Sequence, residues 1–166
     1  MTFSRTFEVV AVAAGLLVST GAFADALVEG TWLTPDQAEM TIEECQPDVM
    51  CGKLSKIVIT KAHVEQYGVD PSAIDINAIT DVMNKDPAMR DRPMLGLQIL
   101  TLKATNNPWF FTGDIYNPQD GNTYSGEISV KDADSIVLKG CALYVLCQEQ
   151  TWTRVVPEEG AMPAPQ

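Results

Sequence analysis

Two cysteine pairs with the same internal spacing, Cys45-x5-Cys51 and Cys141-x5-Cys147, constrain what this chain can fold into more than any other feature. Five intervening residues let a backbone reverse. Facing positions on antiparallel strands then have the Cα separation that a disulfide requires. Four cysteines allow three pairings. The local one, Cys45 with Cys51 and Cys141 with Cys147, closes one hairpin near each end of the domain. Each short loop contributes roughly 2 kcal/mol in the chain-entropy account. Zinc is the other use of four cysteines, but the x5 spacing and a single histidine, His63, disfavour it. No metal site is expected.

The disulfide reading needs an oxidising compartment, and the N-terminus supplies the route to one. Arg5 gives a positively charged start, Val9 to Ser19 an apolar run, and Ala22-Phe23-Ala24 a cleavage site before Asp25. The run is far shorter than the roughly 20 residues a spanning helix needs. Residues 1–24 therefore read as a signal peptide, and the mature protein is expected to be periplasmic or secreted, with no membrane span. Cleavage removes Arg5 and Glu8 together, so the formal charge of −11 is unchanged. A pI near 4.3 without a basic cluster argues against nucleic acid and against anionic membrane surfaces as partners.

The remaining chain suits one domain, residues 25–156, followed by a Pro- and Glu-containing tail, 157–166, expected to be disordered. Short β-rich runs recur between turn signals. Met40 to Cys45 and Lys53 to Thr60 flank Gln46-Pro47-Asp48. Trp109 to Tyr116 precedes Asn117-Pro118-Gln119-Asp120-Gly121, where Pro118 pre-sets φ, Asp120 caps the local backbone and Gly121 takes a positive φ. Tyr124, Gly126, Ile128 and Val130 share one face of the next run, and two further strands flank the second cysteine pair. Only Tyr67 to Pro93 breaks the pattern: a long connection in which Asp75 to Met83 is expected to form a short helix, with Ile76, Ile79 and Met83 on one face. Seven or eight antiparallel strands of this kind make an all-β barrel or sandwich.

Gly30-Thr31-Trp32 on the first strand and Arg154 on the last offer a long-range contact. In a closed barrel these strands are neighbours, and a guanidinium can stack on the indole for roughly 0.5–2 kcal/mol. This pairing looks like the lipocalin superfamily pattern. The chain more specifically resembles a bacterial exported family known only as a domain of unknown function (number 2147). The resemblance rests on Cys51-Gly52-Lys53, Asn84-Lys85-Asp86-Pro87 with Arg90 and Arg92-Pro93, Leu95-Gly96-Leu97, Gly113 to Pro118, Gly121 to Tyr124, Lys139-Gly140-Cys141 and Trp152-Thr153-Arg154. It implies a single lipocalin-like antiparallel β-barrel and no established activity. The stretch from Lys61 to Ile79 is longer than the family pattern.

Candidate sites divide into structural and ligand-facing groups. Asp81, Asn84 and Asp86 lack the spacing of an EF-hand loop. Arg90 and Arg92 beside them favour a carboxylate–arginine network that pins the connection to the barrel rim. Catalysis finds no support: His63 has no local partner, and Ser125 sits in Tyr-Ser-Gly, outside any nucleophile elbow. No catalytic residue or cofactor is expected. On the last strand Gln148, Gln150, Trp152 and Arg154 share a parity. If it points inward, the interior is amphipathic and suits a small ligand with a polar group. Trp109, Tyr116, Tyr124, Trp152 and Arg154 are the candidate contacts. The competing expectation is a filled barrel that binds another envelope protein through its surface or the 67–93 connection.

Overall fold

The computed structural model describes residues 27–156, apart from residues 62, 63, 66, 67, 69 and 143–145. Residues 1–24, read above as a signal peptide, the segment 157–166, His63 and Tyr67 lie outside the described residues.

Eight strands form: β1 (Gly30–Leu33), β2 (Glu39–Gln46), β3 (Val49–Lys56), β4 (Gln98–Ala104), β5 (Phe110–Asn117), β6 (Asn122–Asp132), β7 (Ser135–Ala142) and β8 (Leu146–Arg154). Each pairs antiparallel with the next, and β8 pairs with β1, so the sheet closes into a barrel. Period-2 alternation sets the inner face. Met40 and Ile42, Leu100 and Leu102, Ile128 and Val130 are buried two apart on their strands and join Trp32, Phe111 and Trp152 in one core. The opposite parity carries polar residues, including a ladder in which Lys139 Nζ lies 3.7 Å from Glu127 and 4.0 Å from Glu149.

Both local disulfides form. Cys141 faces Cys147 directly across β7 and β8. Cys45 does not face Cys51. Cys51 lies opposite Glu43, and Cys45 is the extra residue at a register shift between Glu44 and Gln46. The first staple therefore spans a bulge next to the Pro47-Asp48 turn, where Asp48 takes φ 61°.

The connection between β3 and β4 carries three short 3-10 turns, Pro71–Ala73, Ile76–Ala78 and Pro87–Met89. Asp70, Asp75 and Asp86 cap them, each accepting a backbone N–H two residues ahead. The helix expected over Asp75 to Met83 is limited to Ile76–Ala78. Ile79 is extended and its carbonyl accepts from Met94 N, Thr80 bridges Pro93, and Asp81 is drawn into a side-chain network. Tertiary contacts have taken the backbone that a longer helix would have used.

The strand pairings are unequal. β5 and β6 match over eight residue pairs, whereas β1 and β8 match over two, Trp32 with Arg154 and Leu33 with Thr153. Among the described residues, the upper half of β8, Leu146 to Thr151, pairs only with β7. No described helix is long and apolar enough to cross a membrane.

Candidate functional site

The barrel has two unlike ends. At the end holding the β2–β3 hairpin, Arg154 lies over the Trp32 ring, 4.2 Å from its centroid. Its Nη1 donates to Glu29 O (2.8 Å), and its remaining nitrogens reach the carbonyls of Leu27 and Ala133. Trp32 Nε1 donates to Val28 O at 2.8 Å, and both residues are fully buried. Gly30 makes room for this arrangement. It sits at φ 128°, and a Cβ there would lie 2.4 Å from Arg154 Nη1. The expected stacking of arginine on tryptophan is present, and it closes this end.

At the other end the connection docks against the β5–β6 hairpin. Asp81 is buried and fully engaged. It accepts from Asn84 Nδ2 (2.8 Å), from Tyr116 Oη (2.7 and 2.8 Å), and from Arg92 Nε (2.9 Å) and Nη2 (2.8 Å). Arg92 also lies 5.1 Å from the Tyr116 ring centroid. Burial pushes the Asp81 carboxyl upward, but the hydrogen bonds from Asn84, Tyr116 and Arg92, with the arginine charge, outweigh it and hold it below its ordinary value. Burial and the bond to Asp81 push the Tyr116 hydroxyl up. Gly121, at φ 69°, lets the hairpin tip approach the connection so closely that a Cβ would lie 2.0 Å from Met83 O. The network that pins the connection thus contains Asp81, Asn84 and Arg92, with Tyr116 added. Asp86 instead caps a turn, and Arg90 donates to Asn84 O.

Above the short β1–β8 seam the described stretch Leu146 to Thr151 of β8 pairs only with β7, and this unpaired edge is a notch in the strand pairing of the barrel. Gln150 and Gln148 share the inward parity of Trp152. Gln150 is the register partner of the core residue Leu138, Gln148 that of Gly140. Gln150 Oε1 accepts from Trp152 Nε1 at 3.2 Å, which puts the two side chains on one face. Yet Gln148 and Gln150 are exposed, whereas Trp152 is buried. Leu146, next along the same face, is 68% exposed. Gln148 continues a row of inward positions made by Gly126 and Gly140, and the end of Ile115 covers those two glycines. The end of Ile115 lies where a Cβ on Gly126 would be, 2.3 Å away, and 3.4 Å from one on Gly140.

The five candidate contacts do not converge. Trp109 is exposed on the β4–β5 turn, at the opposite end of β5 from Tyr116. Tyr116 is held by Asp81, and Tyr124 donates to Asp120. Asp120 in turn is buried enough to raise its carboxyl, but the bonds from Tyr124 and Asn122 hold it below the ordinary value. Trp152 lies in the core below the notch, and Arg154 is committed to Trp32. The residues that face the notch are Gln148, Gln150, Leu146 and Ile115. The sequence signal for Leu146, Gln148 and Gln150 is their shared parity with Trp152 on β8. Among the described residues, no group of three or more His, Cys, Asp or Glu side chains is placed to hold a metal ion.

The eight-stranded antiparallel barrel, closed where an arginine lies over a tryptophan, has a lipocalin-like fold. Among solved structures it is similar to protein HP1028 from Helicobacter pylori, described as belonging to the lipocalin family, with TM-score 0.60 and 17% identity over 80% of this chain and 85% of that one. It also matches a redesigned β-barrel with TM-score 0.44 and 13% identity, over 80% and 95% of the two chains. No curated protein matches. Residues 30–154 match the family of uncharacterised proteins conserved in bacteria, DUF2147, and the chain belongs to that family.

Proposed function

We propose that this protein is exported and works without catalysis, as a binding module that holds a small amphipathic ligand at the notch of its barrel. The observation that carries the reading is the exposure of Gln148 and Gln150 on the inward face of β8, beside Gly126, Gly140 and the Ile115 side chain that covers them. Polar groups set beside apolar side chains are what a ligand with one polar end requires. The lower barrel is packed with Trp32, Phe111, Leu100, Leu102, Ile128 and Ile136, each under 2% exposed, so the ligand rests on the core rather than within it. Two disulfides in a bacterial family support an oxidising location, periplasmic or secreted.

Native mass spectrometry of protein purified from its own periplasm or medium tests this. A small molecule should co-purify and be lost from Gln148→Ala/Gln150→Ala. Repeatedly empty protein whose side-chain amide resonances ignore an amphiphile panel would sink the reading.

A second reading rests on Val82, Met83 and Met89, exposed by 63, 50 and 46% on the anchored connection. Such apolar side chains on a fixed surface suit an envelope protein partner. A protein adduct in the same spectra, abolished by Met83→Lys/Met89→Lys, would favour it.

A further inference from the structure

The upper half of β8 leaves a strand edge open, whether or not a ligand sits at its glutamines. Backbone groups along a strand point alternately to its two sides. On β8, Arg154 N donates to Asp134 O on the β7 side, and Val155 N to Thr31 O on the β1 side. The same alternation turns the N–H and C=O groups of Cys147, Glu149 and Thr151 toward the β1 side. There β1 reaches only to Thr153, and no described strand follows. The side chains from Leu146 to Thr151 are all exposed. The stretch contains no Lys, Pro or bulge of the kind that blunts an edge strand, and its one charge, Glu149, lies 4.0 Å from Lys139.

We infer that this edge pairs with its own counterpart in a second copy of the chain, antiparallel about a twofold axis at Gln148. Opposed residues share a face of the joint sheet, so the axis falls on a residue. Centred on Glu149, it sets two carboxylates directly opposite each other, which is destabilising. Centred on Gln150, it carries the second copy's Leu146 to Arg154, a position that β1 already holds. Centred on Gln148, it pairs Leu146 with Gln150 and Cys147 with Glu149, and no like charges meet. Cys147 of one copy and Glu149 of the other then exchange both backbone bonds, and symmetry repeats the exchange. Such pairing occupies both open edges at once and stops at a dimer. A contact this short falls far below the ~800 Å² per partner of a standard interface, so the dimer is weak, with Kd on the order of 100 μM. Each copy carries a formal charge of −11, and repulsion weakens the pair further at low salt.

Sedimentation velocity of the exported, disulfide-intact protein, from about 10 μM to about 1 mM, tests the pairing. A reversible monomer–dimer equilibrium should appear, and should tighten at least about threefold between about 20 and about 200 mM NaCl as screening relieves the repulsion. In amide exchange, the N–H groups of Cys147 and Glu149 should gain protection as concentration rises. Those of Gln148 and Gln150, which face β7, should not change. Gln148→Lys brings two ammonium groups together at the axis and should weaken the dimer at least about tenfold. Its exposed position leaves the barrel folded.

Protein that stays monomeric at about 1 mM in the higher salt would overturn the pairing. A dimer that a folded Gln148→Lys leaves unchanged, or whose Cys147 and Glu149 amides gain no protection, joins through another surface and overturns it too. Added protection at Thr151 would move the axis off Gln148, and growth past the dimer would rule out a closed twofold. A co-purified ligand is read separately, in the mass spectra.

Discussion

Two arginines hold the ends of this barrel, and each lies over an aromatic ring, yet they work differently. Arg92 answers a buried carboxylate, Asp81, and shares it with Tyr116 and Asn84. Arg154 answers the backbone carbonyls of Leu27, Glu29 and Ala133 beside Trp32. The first lock joins two ionised groups, one of which titrates. The second sets one permanent charge against dipoles that do not titrate. The contrast shows that one residue type can fasten a loop with pH dependence in one place and without it in another, according to what it faces.

The largest effect should come from Arg92→Ala. It leaves the Asp81 carboxylate buried with only neutral donors, for a loss of about 3 kcal/mol, toward the lower limit for a broken buried pair because Asn84 and Tyr116 still donate. Chemical denaturation would show it, and a loss below about 1 kcal/mol would mean that the connection is not anchored there. Arg154→Ala should cost roughly 2 kcal/mol from the lost stacking and the released carbonyls. Arg154→Lys should recover little of it, since one ammonium cannot span three separate carbonyls as a guanidinium does. Full recovery in thermal melts would make Arg154 a mere point charge.

The subtlest test is acid. The Asp81 carboxyl is held below its ordinary value, so its contribution is fully present above the unfolded value near 3.9 and is lost as pH falls through the folded one. Wild type and Arg154→Ala should therefore share a decline in stability below about pH 4. Arg92→Ala should show a shallower one, because the partner that depresses the carboxyl is gone. Equal slopes in all three would remove Asp81 from the account. At the alkaline end the sign reverses. Tyr116 is raised, so its contribution is present below about pH 10 and fades as pH rises through its folded value.

Much of the fold was legible because its determinants are local. The cysteine spacing marked both hairpins, Gly121 marked a positive φ, and the alternation of Tyr124 to Val130 marked an inner face. The arginine–tryptophan contact was legible for another reason: a meander that closes must bring its first and last strands together. What was not legible depended on partners distant in sequence. The helix expected at Asp75 to Met83 yielded to the pairing of Thr80 with Pro93 and of Ile79 with Met94, and Asp81 found Tyr116, 35 residues away. The parity of β8 told which side chains face inward, but not which are covered. That depends on β1, which stops after four residues and leaves Gln148 and Gln150 open while Trp152 is sealed. Four of the five candidate contacts are aromatic and the fifth is Arg154, whereas the open inward positions of β8 carry the amides of Gln148 and Gln150.

The short β1–β8 seam has a kinetic consequence. Every other pairing joins strands consecutive in sequence, and all but β3 with β4, which the long connection separates, are hairpins closed at small loop-closure cost. The seam alone joins the two ends of the domain, and Arg154 reaches a carbonyl 125 residues away. We predict that the seam closes after the rate-limiting barrier, so that in stopped-flow measurements Arg154→Ala speeds unfolding and leaves the folding rate unchanged; a slower folding rate would place the seam in the barrier itself. The seam would then be a brake on opening, with the lifetime of the native barrel set where the pairing is thinnest.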